Sequence, residues 1–268
     1  MTKKERGYLT ELYYFALSFF VYGFLGWCTE VAYAAAKQGK FVNRGFLNGP
    51  ICPVYGIGVG VVVQFLTLVE NNLVLLYISS TILVTVIEGI TGFLLEKIFH
   101  NKWWDYSEQP LNIGGYVCVL FSLIWGVFCV LIVKIIHPLI YKVLTMIPLV
   151  LGIVVMACLA VGLLADLYVT ASGILKMNRR LEAMEKIAAE LKELSDKVGE
   201  NIYENVMEGM EFREEKKARI EELKAKYEEM AENRTKVGER LVKAFPKMQV
   251  GQHKEIFEEL RERIKRSK

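Results

Sequence analysis

The first 175 residues contain few charged side chains. Only 10 Lys and Arg and 9 Asp and Glu occur there, whereas 23 Lys and Arg and 21 Asp and Glu follow from Lys176 onward. This is too few charges to cover the surface of a soluble globule of that size. The shortage excludes a soluble enzyme, a disordered chain and a nucleic-acid-binding protein with a basic surface. It indicates that the first two thirds of the 268-residue chain lie in lipid.

Catalytic and metal-binding motifs are also missing. The chain has no HExxH, GxSxG or GxxxxGK[ST] pattern and no CxxC pair. Its five cysteines lie in apolar stretches, where a free cysteine behaves as a small hydrophobic residue. We therefore expect no metal site, no cofactor and no enzymatic activity in this chain. An intramembrane enzyme that uses Glu88 or Asp105 as acid or base stays open as an alternative.

Long apolar runs predict the fold. A bilayer core needs roughly 20 apolar residues per helix, and five runs qualify, at about residues 12–35, 50–69, 73–93, 113–136 and 147–174. They predict an all-α polytopic membrane protein with five transmembrane helices. The second run contains Pro50, Pro53 and three glycines, and we interpret it as a helix capped by Asn48 or Gly49. A re-entrant loop is the alternative.

The composition changes at Lys176 and predicts two domains, residues 1–175 in the membrane and residues 176–268 as a charged helical tail. Met184, Leu191 and Val198 repeat every seven residues, with Ile187 and Leu194 between them, as in a coiled coil. This register breaks near residues 199–209. A second helix follows, and Pro246 and Gly251 precede a short last helix. We expect the tail to fold back as a hairpin or to pair with another copy of the chain.

The distribution of basic residues predicts the orientation. The side of the membrane on which the tail begins is called the tail side below. Eight Lys and Arg flank the apolar runs on the tail side and five flank them on the other side. Cytoplasmic loops carry the excess of Lys and Arg. We therefore expect a plasma-membrane protein with a cytoplasmic tail and an N-terminus outside.

Four acidic residues within the apolar runs or at the exit of one fall in the tail-side half of the membrane. They are Glu30, Glu88, Glu96 and Asp166. Glu88 is the deepest, about 12 Å along the helix from Glu96. Ionisable side chains in lipid are costly and usually face a protein interior or a water-filled cavity. The alternative is that Glu30, Glu96 and Asp166 only reach the interface and pair there with Lys or Arg.

Other polar and aromatic residues are expected at the same side. Asn48 and Asn112 stand at the predicted starts of the second and fourth helices, and Arg44 precedes the first of these. Trp103, Trp104 and Asp105 lie between the third and fourth helices. We predict a polar vestibule at the cytoplasmic leaflet, lined by Glu30, Arg44, Asn48, Glu88, Glu96, Trp103, Trp104, Asp105, Asn112 and Asp166. The two tryptophans are also typical of the aromatic belt at a membrane surface.

Two further features have structural interpretations. Gly56 and Gly60 form a small-xxx-small pair, which lets helix backbones approach closely. Lys134, His137 and Pro138 are interpreted as the snorkelling end of the fourth helix rather than as a catalytic histidine.

Two sequence blocks resemble those of a known family. The first is GFLNGPICPVYG at residues 45–56, and the second includes WWDYS at residues 103–107 and PLNIG at residues 110–114. Over roughly residues 7–140 the chain resembles the ABC-transporter type IV permease family. The family pattern has a basic residue after Gly115, where this chain has Tyr116. The resemblance implies a membrane protein with a permease role and no established substrate.

We therefore predict a permease subunit of an ABC-type transporter. Because the chain lacks a phosphate-binding motif, the ATPase must be a separate polypeptide, and the other expected partners are the lipid bilayer and a second copy bound through the tail. No nucleic-acid partner is expected. The alternative is a membrane-anchored scaffold or sensor whose helical tail recruits a soluble protein.

Overall fold

The computed structural model describes residues 3–204, 209–251 and 253–266, and these are mostly helical. The helices are α1 (Lys3–Gln38), α2 (Pro53–Leu66), α3 (Leu73–Phe99), α4 (Val119–Leu131), α5 (His137–Thr145), α6 (Leu149–Glu204), α7 (Gly209–Glu232), α8 (Lys236–Ala244) and α9 (Lys254–Arg266). Two-residue strands occur at β1 (Asn101–Lys102), β2 (Asn112–Ile113), β3 (Val117–Cys118) and β4 (Gln249–Val250). The chain divides into two compact units. The first comprises the residues up to 171 and residues 243–249, and the second comprises residues 172–242 and those from 250 onward.

Four helical segments of the described chain are long and apolar enough to cross a membrane, Leu9–Gln38, Leu73–Phe99, Val119–Thr145 and Leu149–Lys197. Their outward surfaces are apolar, as at Val150 and Val161, which are 75% and 69% exposed. Continuous exposed apolar surface of this kind fits contact with lipid. The prediction of a polytopic helical membrane protein is confirmed. The predicted count of five spans stays a prediction, because α2 with its 3₁₀ extension (Thr67–Val69) is an apolar helix of only about 25 Å.

Helix α2 begins later than predicted. Residues 50–52 belong to the preceding loop, and the N-cap is Cys52, which makes no side-chain capping bond. The predicted cap at Asn48 or Gly49 is therefore wrong. Pro53 opens the helix with a φ angle that suits the first turn and with no N–H to satisfy, so the helix starts there.

Glycines allow α1 and α2 to pack closely and antiparallel. A Cβ atom on Gly56 would lie 2.5 Å from the carbonyl oxygen of Phe19, and one on Gly60 would lie 2.8 Å from the ring of Phe15. At the start of α2, the Tyr55 ring occupies the space beside Gly26. Because Gly26 lies twelve residues before the end of α1, the loop of residues 39–52 must descend about 18 Å to enter α2.

The fourth apolar run does not begin as a helix. Strands β2 and β3 pair antiparallel, with Asn112 opposite Cys118. Gly114 and Gly115 turn the chain between them with φ angles of +61° and +75°, a conformation that favours glycine. Helix α4 starts only at Val119. The predicted helix start at Asn112 is wrong, because the two glycines form a hairpin turn.

The fourth helix also continues beyond its predicted end. A π-helical segment (Ile132–Ile136) joins α4 to α5, and the candidate span extends to Thr145. His137 and Pro138 therefore lie inside a membrane-length helix, and their interpretation as a helix end is wrong. Pro138 occupies the first turn of α5, where its missing N–H is tolerated because the π-helical segment has interrupted the α-helical bonding.

The second unit is a helical bundle in which α7 runs antiparallel to the later part of α6. Arg180 donates hydrogen bonds to the carbonyl oxygens of Ala231 and Asn233, and Arg219 forms an ion pair of 3.0 Å with Glu190. Its core contains the predicted apolar positions Met184 and Ile187 together with Leu181, Leu223, Leu241 and Phe257. The Val198 side chain and residues 205–208, which belong to the predicted break of the register at residues 199–209, lie outside the described residues. The coiled-coil character and self-association of the tail stay predictions.

The close contact of α1 and α2 gives a test of this packing. We expect Gly56→Ala to lower the stability of the purified protein by about 1–3 kcal/mol, because the new methyl group meets a backbone carbonyl that cannot move aside. Gly58→Ala is the matched control, since its Cβ would lie 3.8 Å from the nearest side chain. Thermal unfolding in detergent measures both. Equal melting temperatures for the two variants would contradict this packing.

Candidate functional site

The loop of residues 39–52 folds into the tail-side half of the first unit. The backbone N–H of Cys52 donates to the carbonyl oxygen of Gly23, 2.9 Å away. The Trp27 indole N–H donates to Asn43 Oδ1 at 2.8 Å, and Asn43 Nδ2 donates to the Asn48 carbonyl oxygen at 2.7 Å. Buried backbone needs such partners, because a lipid interior supplies none. The loop is therefore an ordered part of the helix bundle.

Asp166 of α6 fastens this loop. Its Oδ1 accepts hydrogen bonds from the Asn48 backbone N–H (3.1 Å) and side-chain Nδ2 (2.8 Å), and its Oδ2 accepts the Gly49 N–H at 2.6 Å. Thr170 is buried one turn further along α6 and donates its hydroxyl to Asp166 Oδ1 at 3.2 Å. Gly49 permits the close approach, since a Cβ atom there would lie 3.1 Å from the carboxylate. The Asp166 carboxylate thus accepts hydrogen bonds from successive backbone N–H groups of the loop, as an anion does when it is bound in a backbone nest.

Glu30 of α1 is held by the same loop and by α2. Its Oε2 lies 3.1 Å from Arg44 Nε, and its Oε1 accepts the Tyr55 hydroxyl hydrogen bond at 2.7 Å. The Arg44 Nε–H does not point at this carboxylate well enough to form a hydrogen bond, so the attraction between opposite charges holds the two groups together. The Arg44 guanidinium also lies over the Tyr33 ring, 4.7 Å from its centre.

A second polar group is formed by α3 and residues 100–118. Tyr106 donates its hydroxyl to Glu88 Oε1 at 3.3 Å, and Tyr116 donates to Glu96 Oε2 at 2.7 Å. Tyr116 thus supplies the partner for an acid at the position where the resemblance led us to expect a basic residue. The hydrogen bond to Glu96 raises the pKa of Tyr116 above its usual range. Glu88 Oε2 is buried and makes no hydrogen bond within the part of the chain that the structure describes.

Asp105 and Asn112 organise their own loop. Asp105 Oδ1 accepts hydrogen bonds from the Ser107 hydroxyl (2.6 Å) and backbone N–H (3.0 Å), which hold the pKa of Asp105 below its usual value. Asn112 Nδ2 donates to the carbonyl oxygens of Ser107 and Gln109, and its Oδ1 accepts the Gly115 N–H. Both side chains form hydrogen bonds with backbone groups of the turns in which they lie, as Asp and Asn commonly do.

The two tryptophans differ in environment. The Trp104 indole N–H donates to the carbonyl oxygen of Tyr116 at 2.8 Å. Trp103 is only 5% exposed and lies between Phe46 and Phe245, with its ring centre 5.2 Å from each ring. Trp103 is therefore an internal packing residue rather than a ring at the membrane surface.

The ten predicted site residues form two connected groups. Glu30, Arg44, Asn48 and Asp166 are joined through the loop of residues 39–52, and the others lie on α3 or in residues 100–118. The groups meet where Phe46 packs on Trp103. Burial, and then the charge of Glu88 and its hydrogen bond, raise the pKa of Tyr106.

Three hydrogen-bonding tyrosines were missed by sequence reasoning. Tyr55 and Tyr106 lie in the two blocks that resemble the family, and Tyr116 stands where the resemblance led us to expect a basic residue. Their position in those blocks was the available signal, but the acid that each one binds lies on a different element. Among the described residues, no group of three or more His, Cys, Asp and Glu side chains is arranged to hold a metal ion.

The bonds at Asp166 predict a measurable effect on the loop. We expect Asp166→Ala to lower stability by about 2–4 kcal/mol, because it removes a charged acceptor from several donors. It should also speed maleimide labelling of Cys52, which is buried at the end of the loop. Thr170→Val, which removes only an accessory hydroxyl, is the control and should have the smaller effect on both. Unchanged Cys52 labelling in Asp166→Ala would contradict the role of this carboxylate.

The comparison with protein families agrees with this architecture. The model of the family described as "Putative ABC-transporter type IV" matches residues 17–171, more than half of the chain. That range contains all ten predicted site residues. No curated protein and no solved structure matches the chain. The family match, together with four membrane-length helices, shows that this chain is a multi-pass membrane protein that belongs to the ABC-transporter type IV family.

Proposed function

We propose that the chain is the permease subunit of an ABC-type transporter and that the two polar groups line a vestibule open to the cytoplasm. The family membership and the apolar helices support this proposal. The excess of Lys and Arg on the tail side supports a cytoplasmic tail and an external N-terminus. In this arrangement five helical segments alternate in direction, with α2 as a short crossing between the loop and α3. The substrate is left open.

Glu88 is the observation that carries the proposal. It lies in the membrane-length helix α3, and one of its carboxylate oxygens is buried without a hydrogen bond among the described residues. Glu30 and Asp166 are satisfied by the loop and Glu96 by Tyr116, whereas the Glu88 carboxylate has one bond of 3.3 Å to Tyr106. An acid at this depth that protein groups leave incompletely satisfied is typical of a pathway for ions or polar substrates.

Transport by this family type requires an ATPase, which we assign to a separate polypeptide. The chain has no phosphate-binding motif. A cytoplasmic ATPase would meet the tail-side loops, where residues 100–118 and residues 243–249 form a packed surface through Trp103 and Phe245. Gln249 extends this surface by donating a hydrogen bond of 3.1 Å to Asp105.

A membrane scaffold or sensor is the second candidate. The bundle of the second unit favours it, because cross-helix ion pairs such as Arg219–Glu190 and Arg263–Glu228 give it a defined folded surface. In that case the tail recruits a soluble partner, and the membrane acids are dispensable.

Affinity purification distinguishes these functions. We expect the tagged full-length chain, extracted from its own membranes in mild detergent, to elute with a subunit that carries a phosphate-binding motif and hydrolyses ATP. An untagged strain controls for background. Elution of the folded chain with a non-ATPase protein in constant proportion would support the scaffold and contradict the permease.

A conservative substitution tests Glu88. We expect Glu88→Gln to reduce ATP turnover of the purified complex by about tenfold, equivalent to about 1.4 kcal/mol in the barrier, because the amide cannot carry charge or exchange a proton. Glu96→Gln is the matched control on the same helix and should retain turnover, since Tyr116 already satisfies Glu96. Melting temperatures confirm folding of both variants. Wild-type turnover in Glu88→Gln would contradict the assigned role.

A further inference from the structure

A separate cavity lies in the other half of the first unit, among α1, the second half of α2 and α5. It is open on one side and has a volume of about 140 Å³, close to that of a protein cavity that accepts a benzene-sized molecule. Its lining combines aromatic and polar side chains, namely Thr10, Glu11, Tyr14, Phe15, Ser18, Tyr22, Gln64, His137 and Tyr141, with Gly60 and Val63. None of these belongs to the polar groups on the tail side.

Three polar residues of this cavity, Ser18, Tyr22 and His137, lie deep along membrane-length helices. Ser18 and Tyr22 of α1 are 5% and 3% exposed, and they follow the start of the span at Leu9 by about 14 Å and 20 Å. His137 precedes the end of its span at Thr145 by eight residues, or about 12 Å. Polar side chains at such depth require a protein partner, water or a ligand.

The π-helical segment positions His137. It ends at Ile136, so the extra residue in its turn rotates the helix face that follows. The His137 ring then stacks on Tyr22 with ring centres 6.2 Å apart, and its Nδ1 lies 3.1 Å from the Tyr22 hydroxyl oxygen. This contact uses the Nδ1 atom of His137, and Nε2 is the second polar atom of the same ring. Rare π-helical turns of this kind occur often at functional sites.

Aromatic rings form much of the wall. Tyr14 and Tyr141 have ring centres 5.1 Å apart, and Tyr141 lies 5.9 Å from the His137 ring. On α2, Gly60 provides the space that the Phe15 ring occupies. The faces of aromatic rings carry partial negative charge and attract cations within about 6 Å.

The charge of the lining has one sign. Glu11 is the acidic residue, and no Lys or Arg is among the lining side chains that the structure describes. A carboxylate beside several tyrosine rings favours a positively charged ligand and disfavours an anion.

The geometry points to a binding site for a small organic cation, an ammonium group with an apolar body, in the cavity between α1, α2 and α5. The rings and Glu11 receive the ammonium group, and the apolar wall at Val63 and Phe15 receives the body. Ser18, Gln64 and the Tyr22–His137 pair provide hydrogen-bonding atoms. The inference rests on this cavity alone and holds whether or not the chain works with an ATPase.

Equilibrium dialysis of the full-length protein in detergent tests the site with benzyltrimethylammonium as the probe. We expect saturable binding at least about tenfold tighter than that of phenylmethanesulfonate, an anion of similar size. This comparison uses only the wild-type protein, so it does not depend on the folding of any variant. Equal retention of the cation and the sulfonate, or binding of neither, would overturn the inference.

Two pairs of variants locate the binding. Tyr14→Leu and Glu11→Gln should each weaken binding of the cation by about 3–10-fold. The matched controls Tyr168→Leu, on the exposed surface of α6, and Glu70→Gln, outside the cavity, should bind like wild type. Saturable binding that all four variants retain equally would place the cation elsewhere and refute the assignment.

Discussion

The hydrogen bonds from Asn48 and Gly49 to Asp166 are the constraint on which the tail-side half of the first unit depends. A loop that descends about 18 Å among membrane helices must satisfy its backbone within the protein. Asp166 meets that need at the point where the loop turns toward α2. In this position the loop brings Arg44 beside Glu30 and Phe46 onto Trp103. The carboxylate is thus a structural ligand for backbone rather than a surface charge.

One chemical solution recurs for the remaining acids. Glu30, Glu88 and Glu96 each accept a hydrogen bond from a tyrosine, and each tyrosine comes from a different element than its acid. A phenol binds a carboxylate without adding a second full charge to a region of low dielectric. Glu88 differs from the other two because its bond is long and its second oxygen is buried. A role in holding the fold together therefore explains most of these acids, and it explains Glu88 least well.

Hydropathy predicted the membrane-length helices, the charge composition predicted the tail, and two sequence blocks indicated the family, because these are local properties of the sequence. Helix ends were predicted less well. Gly114 and Gly115 were interpreted as a helix start, but their left-handed backbone conformations form a hairpin turn. His137 was placed at the end of a helix, but the π-helical segment continues that helix past His137. The tyrosine–acid pairs join residues 18–25 positions apart on separate elements, and the Asp166 bonds join residues about 117 apart. Such partners follow from tertiary packing, which periodicity does not encode.

Hydrogen–deuterium exchange of the wild-type protein in detergent, followed by mass spectrometry of the peptides from residues 39–52, tests the central claim most directly. Amides held by Asp166 and Gly23 should exchange slowly although they belong to a loop without regular secondary structure. We predict that the peptide containing Asn48, Gly49 and Cys52 exchanges at least about tenfold more slowly than the peptide containing Gly39 and Lys40. Equally rapid exchange of the two peptides would mean that the loop lies in solvent, and it would contradict the account.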